Sequence, residues 1–324
     1  TEEMADAIID WRDEDTTPGA AGAEESYYAA LSVPYHCKNA PFESLEELLY
    51  VRGITPEILY GEDANLNGRL ETNENDGDTS WPPDNRDGRL DPGLWSLLTV
   101  WSSDKNEAAD GARRTNINAA TPAQLQEAGF TANEIQTINA IRLTRGPFGS
   151  IAHLLGSPNQ GLAPVLSKER FKQLCDDLTI FDAEVVPGLV NLNTAPKQVL
   201  LALPGITEEI ALKLISQRTP QGADLSNMGW VADLVEPAAL VQFAGVVTFR
   251  AYQFRIQAVG RVGTPYEELE RQGSGTAVER PRSFRRMTAV FDTLAAPAPR
   301  LVYWKDQTRL GMPYDPADGP NPSR

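Results

Sequence analysis

"VNLNTAPKQVLLALPGITEEIALKLISQR", residues 190–218, holds a short apolar helix, a Pro-Gly turn and a second apolar helix. Gly205 is free to take a positive φ between the helices. Thr207 is placed to cap the second helix, with Glu208 and Glu209 in its electropositive first turn. Val199, Leu200, Leu203, Ile206, Ile210, Leu214 and Ile215 recur at steps of three and four, a helical period with one buried face. The same order appears in "INAATPAQLQEAGFTANEIQTINAIRLTRGPFGSIAHLL" (117–155), where Thr131 and Glu134 make a capping box. A shorter copy is "SLEELLYVRGITPEILYG" (44–61), around Gly53-Ile54-Thr55. These stretches read as three related helix-hairpin-helix units.

Such units usually grip DNA through a Gly-apolar-Gly turn whose backbone N–H groups approach a phosphate. Here Thr55, Thr131 and Thr207 stand where the second Gly is needed. Phosphate binding also wants cations, yet residues 189–218 offer only Lys197, Lys213 and Arg218 against Glu208 and Glu209. Packing between protein elements is the preferred reading, and no nucleic-acid partner is expected.

The chain has 324 residues, 41% hydrophobic and 23% charged, enough for a sizeable core and two domains. Its net charge of −16 is concentrated. Residues 1–25 hold nine acids and one base, and residues 61–91 hold nine acids and three bases. Two acidic clusters suggest cation sites more than mere solubility.

The second cluster is the most specific signal. "DANLNGRLETNE" spans Asp63 to Glu74 and fills the twelve-position EF-hand calcium pattern. Asp63, Asn65 and Asn67 supply side-chain oxygens at positions 1, 3 and 5, and Gly68 makes the turn at 6. Arg69 supplies its carbonyl at 7, Glu71 reaches the ion through water at 9, and Glu74 is the bidentate ligand at 12. Hard oxygen donors on a flexible loop suit Ca²⁺ rather than Mg²⁺ or zinc. Downstream, "NDGDTSWPPDNRDGRLDPG" (75–93) has no complete second loop. Asp76, Asp78, Asp84, Asp87 and Asp91 are candidates to hold a second ion or complete the first, against a plain surface loop. In the first cluster Asp13, Asp15 and Glu24 are able to bind a cation, with a solvated turn the preferred reading. Before it, Met4, Ile8 and Trp11 form an apolar helical stripe, expected to be exposed and to bind a partner.

Taken together, "DWRDEDTTPGAAGAEESYY" (10–28), "FESLEELLYVRGITPEILYG" (42–61), "LLTVWS" (97–102) and "NLNTAPKQVLLALPGI" (191–206) resemble the K component of the type II secretion system, a large minor pseudopilin. The resemblance implies an α+β fold: a pilin-like N-terminal helix plus an antiparallel sheet, with a large inserted all-helical domain. That domain would contain the helix-hairpin-helix or SAM-like repeats and the calcium loop. The corresponding ranges are 1–35 for the helix and loop of the pilin body, 36–237 for the insertion with its calcium loop 61–93, and 238–324 for the sheet. Alternation in 245–262, 282–293 and 299–311 agrees with strands, and "GTPYEELERQGSGTAVERP" (263–281) reads as a surface loop.

The resemblance also implies a structural role at the tip of a pseudopilus, with minor pseudopilins of the I and J type as partners. A helical block this large should obstruct another subunit stacking above it. The implied location is the periplasm. Pilin-like proteins are anchored in the inner membrane, and contact its assembly platform, through an apolar N-terminal segment. The chain shows no such run of about 18 apolar residues, so that anchor is expected upstream of Thr1. The rival readings are an exported helix-hairpin-helix DNA-binding protein of a DNA-uptake system and a free-standing calcium-dependent adhesion module.

Enzyme readings fare poorly. His36 and His153 are the only histidines, and His36-Cys37 lacks further ligands for zinc. No Gly-rich phosphate loop is present, and no serine has a His-Asp context. Cys37 and Cys175 allow a disulfide contributing about 4–5 kcal/mol in the chain-entropy model, or two separate buried thiols.

Overall fold

The computed structural model describes residues 1–218, 224–262, 283–294 and 298–313. They divide into two compact units: Thr1–Val100 with Arg255–Phe291 and Leu301–Arg324, and Trp101–Phe254 with Asp292–Arg300. The range 36–237 is therefore shared between the units. Its first part, to Val100, goes with the N-terminal helix for a packing reason given next. Among the described residues no helix is long and apolar enough to cross a membrane.

In the first unit, helix α1 (Glu2–Arg12) is capped by the Thr1 side chain, carries Glu2 and Glu3 in its first turn and Arg12 in its last, and so matches the helix dipole at both ends. It stops at Asp13, which is extended. Ala7 and Trp11 are buried in one cluster with Ala23, Tyr28, Leu45, Leu48, Val51, Ile54 and Leu59, and Met4 and Ile8 pack against it. The Trp11 ring meets Tyr28 edge-on at 5.1 Å and stacks on Tyr50 at 6.4 Å. This corrects the expectation of an exposed stripe. Trp11 is covered by Tyr28, Tyr35 and Tyr50, which come from segments remote in sequence, and Met4 and Ile8 are partly buried against the same cluster. The large apolar residue of α1 left in solvent is Ile9, 54% exposed. Two short helices follow, α2 (Glu25–Tyr28) and α3 (Pro56–Tyr60), the latter capped by Thr55 after Gly53, whose φ is 81°.

The second unit is an internal duplication. Strand β1 (Ser103–Lys105) precedes the first copy. Strand β2 (Thr115–Asn116) leads into α4 (Pro122–Glu127), a turn at Gly129, α5 (Ala132–Arg145), α6 (Lys168–Leu174) and the return strand β3 (Leu178–Thr179). Strand β4 (Val185–Pro187) pairs antiparallel with β1. Then β5 (Val190–Asn191) leads into α7 (Lys197–Leu201), a turn at Gly205, α8 (Glu208–Arg218), α9 (Gly229–Leu234), α10 (Pro237–Phe243) and β6 (Val247–Thr248). In each copy first and last strands pair in parallel, β2 with β3 and β5 with β6. Ile117 N–H donates to Thr179 C=O at 2.9 Å, and Leu192 N–H to Thr248 C=O at 3.0 Å. Gly129 and Gly205 have φ of 93° and 76°, as their turns require. Thr131 and Glu134 make the expected capping box, and Thr207 Oγ1 accepts the Ile210 N–H at 3.3 Å. One core runs through both copies, from Ile117, Leu125 and Ile138 to Leu200, Leu214 and Phe243. The expectation of an all-helical insertion is corrected here, because short ladders close each copy at its ends.

Strands β7 (Gln253–Val262), β8 (Ser283–Asp292) and β9 (Arg300–Asp306) form a sheet in that order. Thr293, just past β8, donates to Tyr252, just before β7, at 2.8 Å, and Gln307, just past β9, donates to Arg286 at 2.8 Å. Neighbours therefore run in opposite directions. The single strand expected over 245–262 is two: Val247–Thr248 serves the second unit, and β7 starts at Gln253. Residues 263–282 lie outside the described residues. Arg286, Thr288 and Val290 alternate on the buried face of β8. Ile256, Met287 and Trp304 stay 49%, 40% and 57% exposed.

Candidate cation-binding sites

Residues 61–93 are held by two kinds of close approach. A Cβ on Gly61 would lie 2.0 Å from the Asp91 carbonyl oxygen, and one on Gly93 2.4 Å from the Gly61 nitrogen, so the two arms touch only because both are glycine. Buried Glu62 then ties them, accepting from Asn85 N–H at 3.3 Å and Asp91 N–H at 3.0 Å.

Inside that neck the twelve-position loop closes on itself. Asp63 accepts Asn67 N–H at 2.9 Å and Gly68 N–H at 2.8 Å. Gly68 has φ of 73°, the left-handed turn expected at position 6. Asn67 Oδ1 accepts Arg69 N–H at 2.7 Å. The Asn65 and Asn67 amides donate to the Glu71 carboxylate at 3.0 and 2.9 Å. Glu74, 1% exposed, accepts Ala64 N–H and Glu71 N–H, each at 2.9 Å. Burial raises the Glu74 carboxyl above its ordinary value, with the Asp63 and Glu71 charges adding to it, despite the two N–H donors. Asn65 Oδ1 is buried without a partner.

Asp76, Asp84, Asp87 and Asp91 each close a turn of their own. Asp84 accepts from Asp76 and Gly77 N–H at 2.8 Å, and Asp76 from the Ser80 N–H and hydroxyl. Asp87 accepts from Arg89 N–H, and Asp91 from Gly93 N–H. Sequence reasoning missed Glu62 and Arg286. Arg286 is fully buried, and its guanidinium donates to the Asn65 and Leu66 carbonyls at 2.6 and 2.7 Å. Its signal was an arginine at an inward position of the alternating strand 282–293.

Among the described residues, three carboxylates bring ligand oxygens within 4.8 Å of one another at Asp13, Asp15 and Glu24. The chain leaves α1 at Asp13 and folds back over the helix. Gly19 N–H donates to both Asp10 oxygens at 3.1 Å, and Ala21 N–H to Asp6 at 3.0 Å. A Cβ on Gly22 would lie 1.9 Å from Asp10 Oδ2, so only glycine lets the return pass this close. It delivers Glu24, 2% exposed, beside Asp13 and Asp15. Burial raises the Glu24 carboxyl, as do the Asp10 and Asp13 charges, while the Cys37 and Asn39 side chains pull it down.

The other candidate chemical groups are engaged locally. His36 Nδ1 is 2.7 Å from Glu25, and His153 Nδ1 is 3.1 Å from the Ser150 hydroxyl. Cys37 and Cys175 are free thiols, pushed by burial up to about 11 and about 12.

Two family models match this chain, both described as type II secretion system protein K, over residues 1–60 and 190–247. The type II secretion system protein K of Pectobacterium carotovorum subsp. carotovorum is 42% identical over 57 residues, 18% of this chain and 17% of that protein. The protein K of Aeromonas hydrophila is 40% identical over 57 residues, 17% of each chain. The matched stretch thus spans about a sixth of these relatives. The crystal structure of the GspK-GspI-GspJ complex from the enterotoxigenic Escherichia coli type 2 secretion system aligns at 13% identity. It covers 94% of this chain and 62% of the other, with a TM-score of 0.37.

Proposed function

We propose that this chain, which over residues 1–60 and 190–247 belongs to the type II secretion system protein K family, is a structural minor pseudopilin of a periplasmic pseudopilus. The observation that carries the reading is that the two matched segments fall in different compact units, one in each. Both units therefore speak for the same family. The partners are minor pseudopilins of the I and J type, joined with this chain at the filament tip. A subunit that carries a whole additional helical unit obstructs stacking above it, which favours the end of the filament. With the α1 stripe buried, the surface offered to partners is Ile9 and the outward side chains Ile256, Met287 and Trp304. Affinity capture by this chain of the soluble I- and J-type domains from a mixture tests the reading. Failure to retain either at tens of micromolar rejects it. The DNA-binding alternative has no support, since the hairpin turns carry Thr131 and Thr207 as helix caps where DNA-gripping turns present an open glycine.

The Asp63–Glu74 loop is assigned calcium. Its support is the inward arrangement of positions 1, 3, 5, 9 and 12, together with a buried Asn65 oxygen that has no protein partner. An ion held only by the folded state stabilises it by about 2.7 kcal/mol at a hundred times its Kd. Melting in calcium and in chelator, with Glu74→Gln as control, reads this directly. Equal melting temperatures would reject the assignment.

A further inference from the structure

We propose that a cavity inside the second unit is a binding site for a small neutral molecule with one hydroxyl donor on a short apolar body. The cavity has a volume of about 70 Å³. One water needs about 10–15 Å³ of such space, so there is room for a molecule of a few non-hydrogen atoms. Both copies of the duplicated element wall it. Cys175 and Leu178 come from the first, Met228, Val247 and Thr248 from the second, and Asp104 from β1. What carries the proposal is one oxygen. Asp104 is 4% exposed, its Oδ2 accepts the Thr248 hydroxyl, and its Oδ1 is buried without a hydrogen-bond partner. Buried acceptors are normally paired, and an orphan is costly. A donor that enters the cavity is the partner this fold leaves for it.

The other groups in the wall define what the molecule must be. Cys175 Sγ donates to Asn227 Oδ1 at 3.3 Å, and the Asn106 amide donates to the Phe181 and Ala183 carbonyls, both at 2.9 Å. Thr179 Oγ1 accepts Phe181 N–H at 3.1 Å. Among the described residues that line the cavity, Asp104 Oδ1 is the one buried side-chain atom without a partner, so a single donor is enough. The charges that bear on Asp104 are those of Arg114 and Arg250. Both guanidiniums are held on Asp176 Oδ1, at 3.1 and 2.8 Å. Positive charge therefore already stands near Asp104, and a further cation would be repelled by both arginines. A hydroxyl supplies the donor without bringing charge. The rest of the wall is largely apolar, with Ile151, Leu178, Val186, Met228 and Val247, which favours a short hydrocarbon body over a polyol.

The test is titration of the isotope-labelled whole chain at neutral pH with isopropanol, followed through the amide resonances of Cys175, Thr179 and Val247. Acetone is the matched control, since it has the same skeleton and accepts hydrogen bonds but cannot donate one. Isopropanol should give saturable shifts at these amides and bind about tenfold tighter than acetone, the value of one hydrogen bond to a charged group. Isopropylamine, its cationic counterpart, should bind more weakly than isopropanol. Ala244→Leu grows into the cavity from its wall and should abolish the shifts. Asp104→Leu removes the acceptor and should erase the preference for isopropanol over acetone. The comparison of ligands on wild type needs no variant, so it decides the matter even where a variant fails to fold. The proposal is overturned if the isopropanol shifts do not saturate, if acetone binds as tightly, or if a folded Ala244→Leu binds isopropanol as wild type does. Tighter binding of isopropylamine would overturn the choice of a neutral ligand.

Discussion

Arg286 reaches the Asn65 and Leu66 carbonyls from the middle of β8 and so joins the sheet to the Asp63–Glu74 loop. Arg286→Met would remove the donor that both part-buried residues' carbonyls have in Arg286, costing about 1–3 kcal/mol. It should lower the melting temperature and weaken calcium binding at the loop; a variant with wild-type affinity would show that Arg286 does not position it. Asp104 offers a separate check in the second unit. It is 4% exposed, accepts the Thr248 hydroxyl through Oδ2, and leaves Oδ1 unpartnered. Burial outweighs Thr248, Arg114 and Arg250 and raises its carboxyl above 3.8. The folded state then holds the proton more tightly than the unfolded chain, so this group's contribution is present below 3.8 and is lost as pH rises through the raised folded value. Asp104→Asn cannot titrate, so its stability relative to wild type should grow from acid toward neutral pH in denaturant melts. A difference independent of pH would contradict this. The inward side chains of the Asp63–Glu74 loop were legible one by one in the sequence because their spacing is fixed by the chain. Glu62, Arg286 and Asn39 were not, because each acts on atoms brought near only by folding.

The duplicated element of the second unit rests on matched arginines. Arg142 donates to the Ile117 and Ala120 carbonyls at 2.7 and 2.9 Å, and Arg218 to the Leu192 and Ala195 carbonyls, both at 2.9 Å. Each ties the second helix of its hairpin to the Asn-rich turn before the first. Asn118 and Asn193 repeat one another as well, donating to the Asn116 and Asn191 side chains that open the same turns. Arg142→Met and Arg218→Met should therefore destabilise alike, by about 1–3 kcal/mol each, in urea unfolding. A loss confined to one of them would deny that the copies are held equivalently. The hairpins were legible because apolar period, Gly and Thr cap all lie within one short stretch. The return strands β3 and β6 were not: a two-residue ladder has no period, and Leu178-Thr179 and Val247-Thr248 become strands only by pairing with β2 and β5.

For the molecule as a whole, the helical and strand content was legible in the sequence, but the membership of the units was not. Residues 36–100 read as the start of a helical insertion, yet Leu45, Leu48 and Leu59 share a core with Trp11 and Tyr28. Local pattern shows that a face is apolar; it does not show what covers it. That distinction changes how assembly should be probed. Trp11→Glu would break the core and unfold the first unit. Trp304→Glu and Ile256→Glu act on exposed side chains and should leave the melting temperature unchanged while weakening partner binding. Assembly with I- and J-type minor pseudopilins is the proposal on which the rest depends. The most direct measurement is the mass, by light scattering on a size-exclusion column, of an equimolar mixture of the three soluble proteins in calcium. One peak with the summed mass of one copy of each is expected. Three separate peaks, each with its own monomer mass at tens of micromolar, would contradict it.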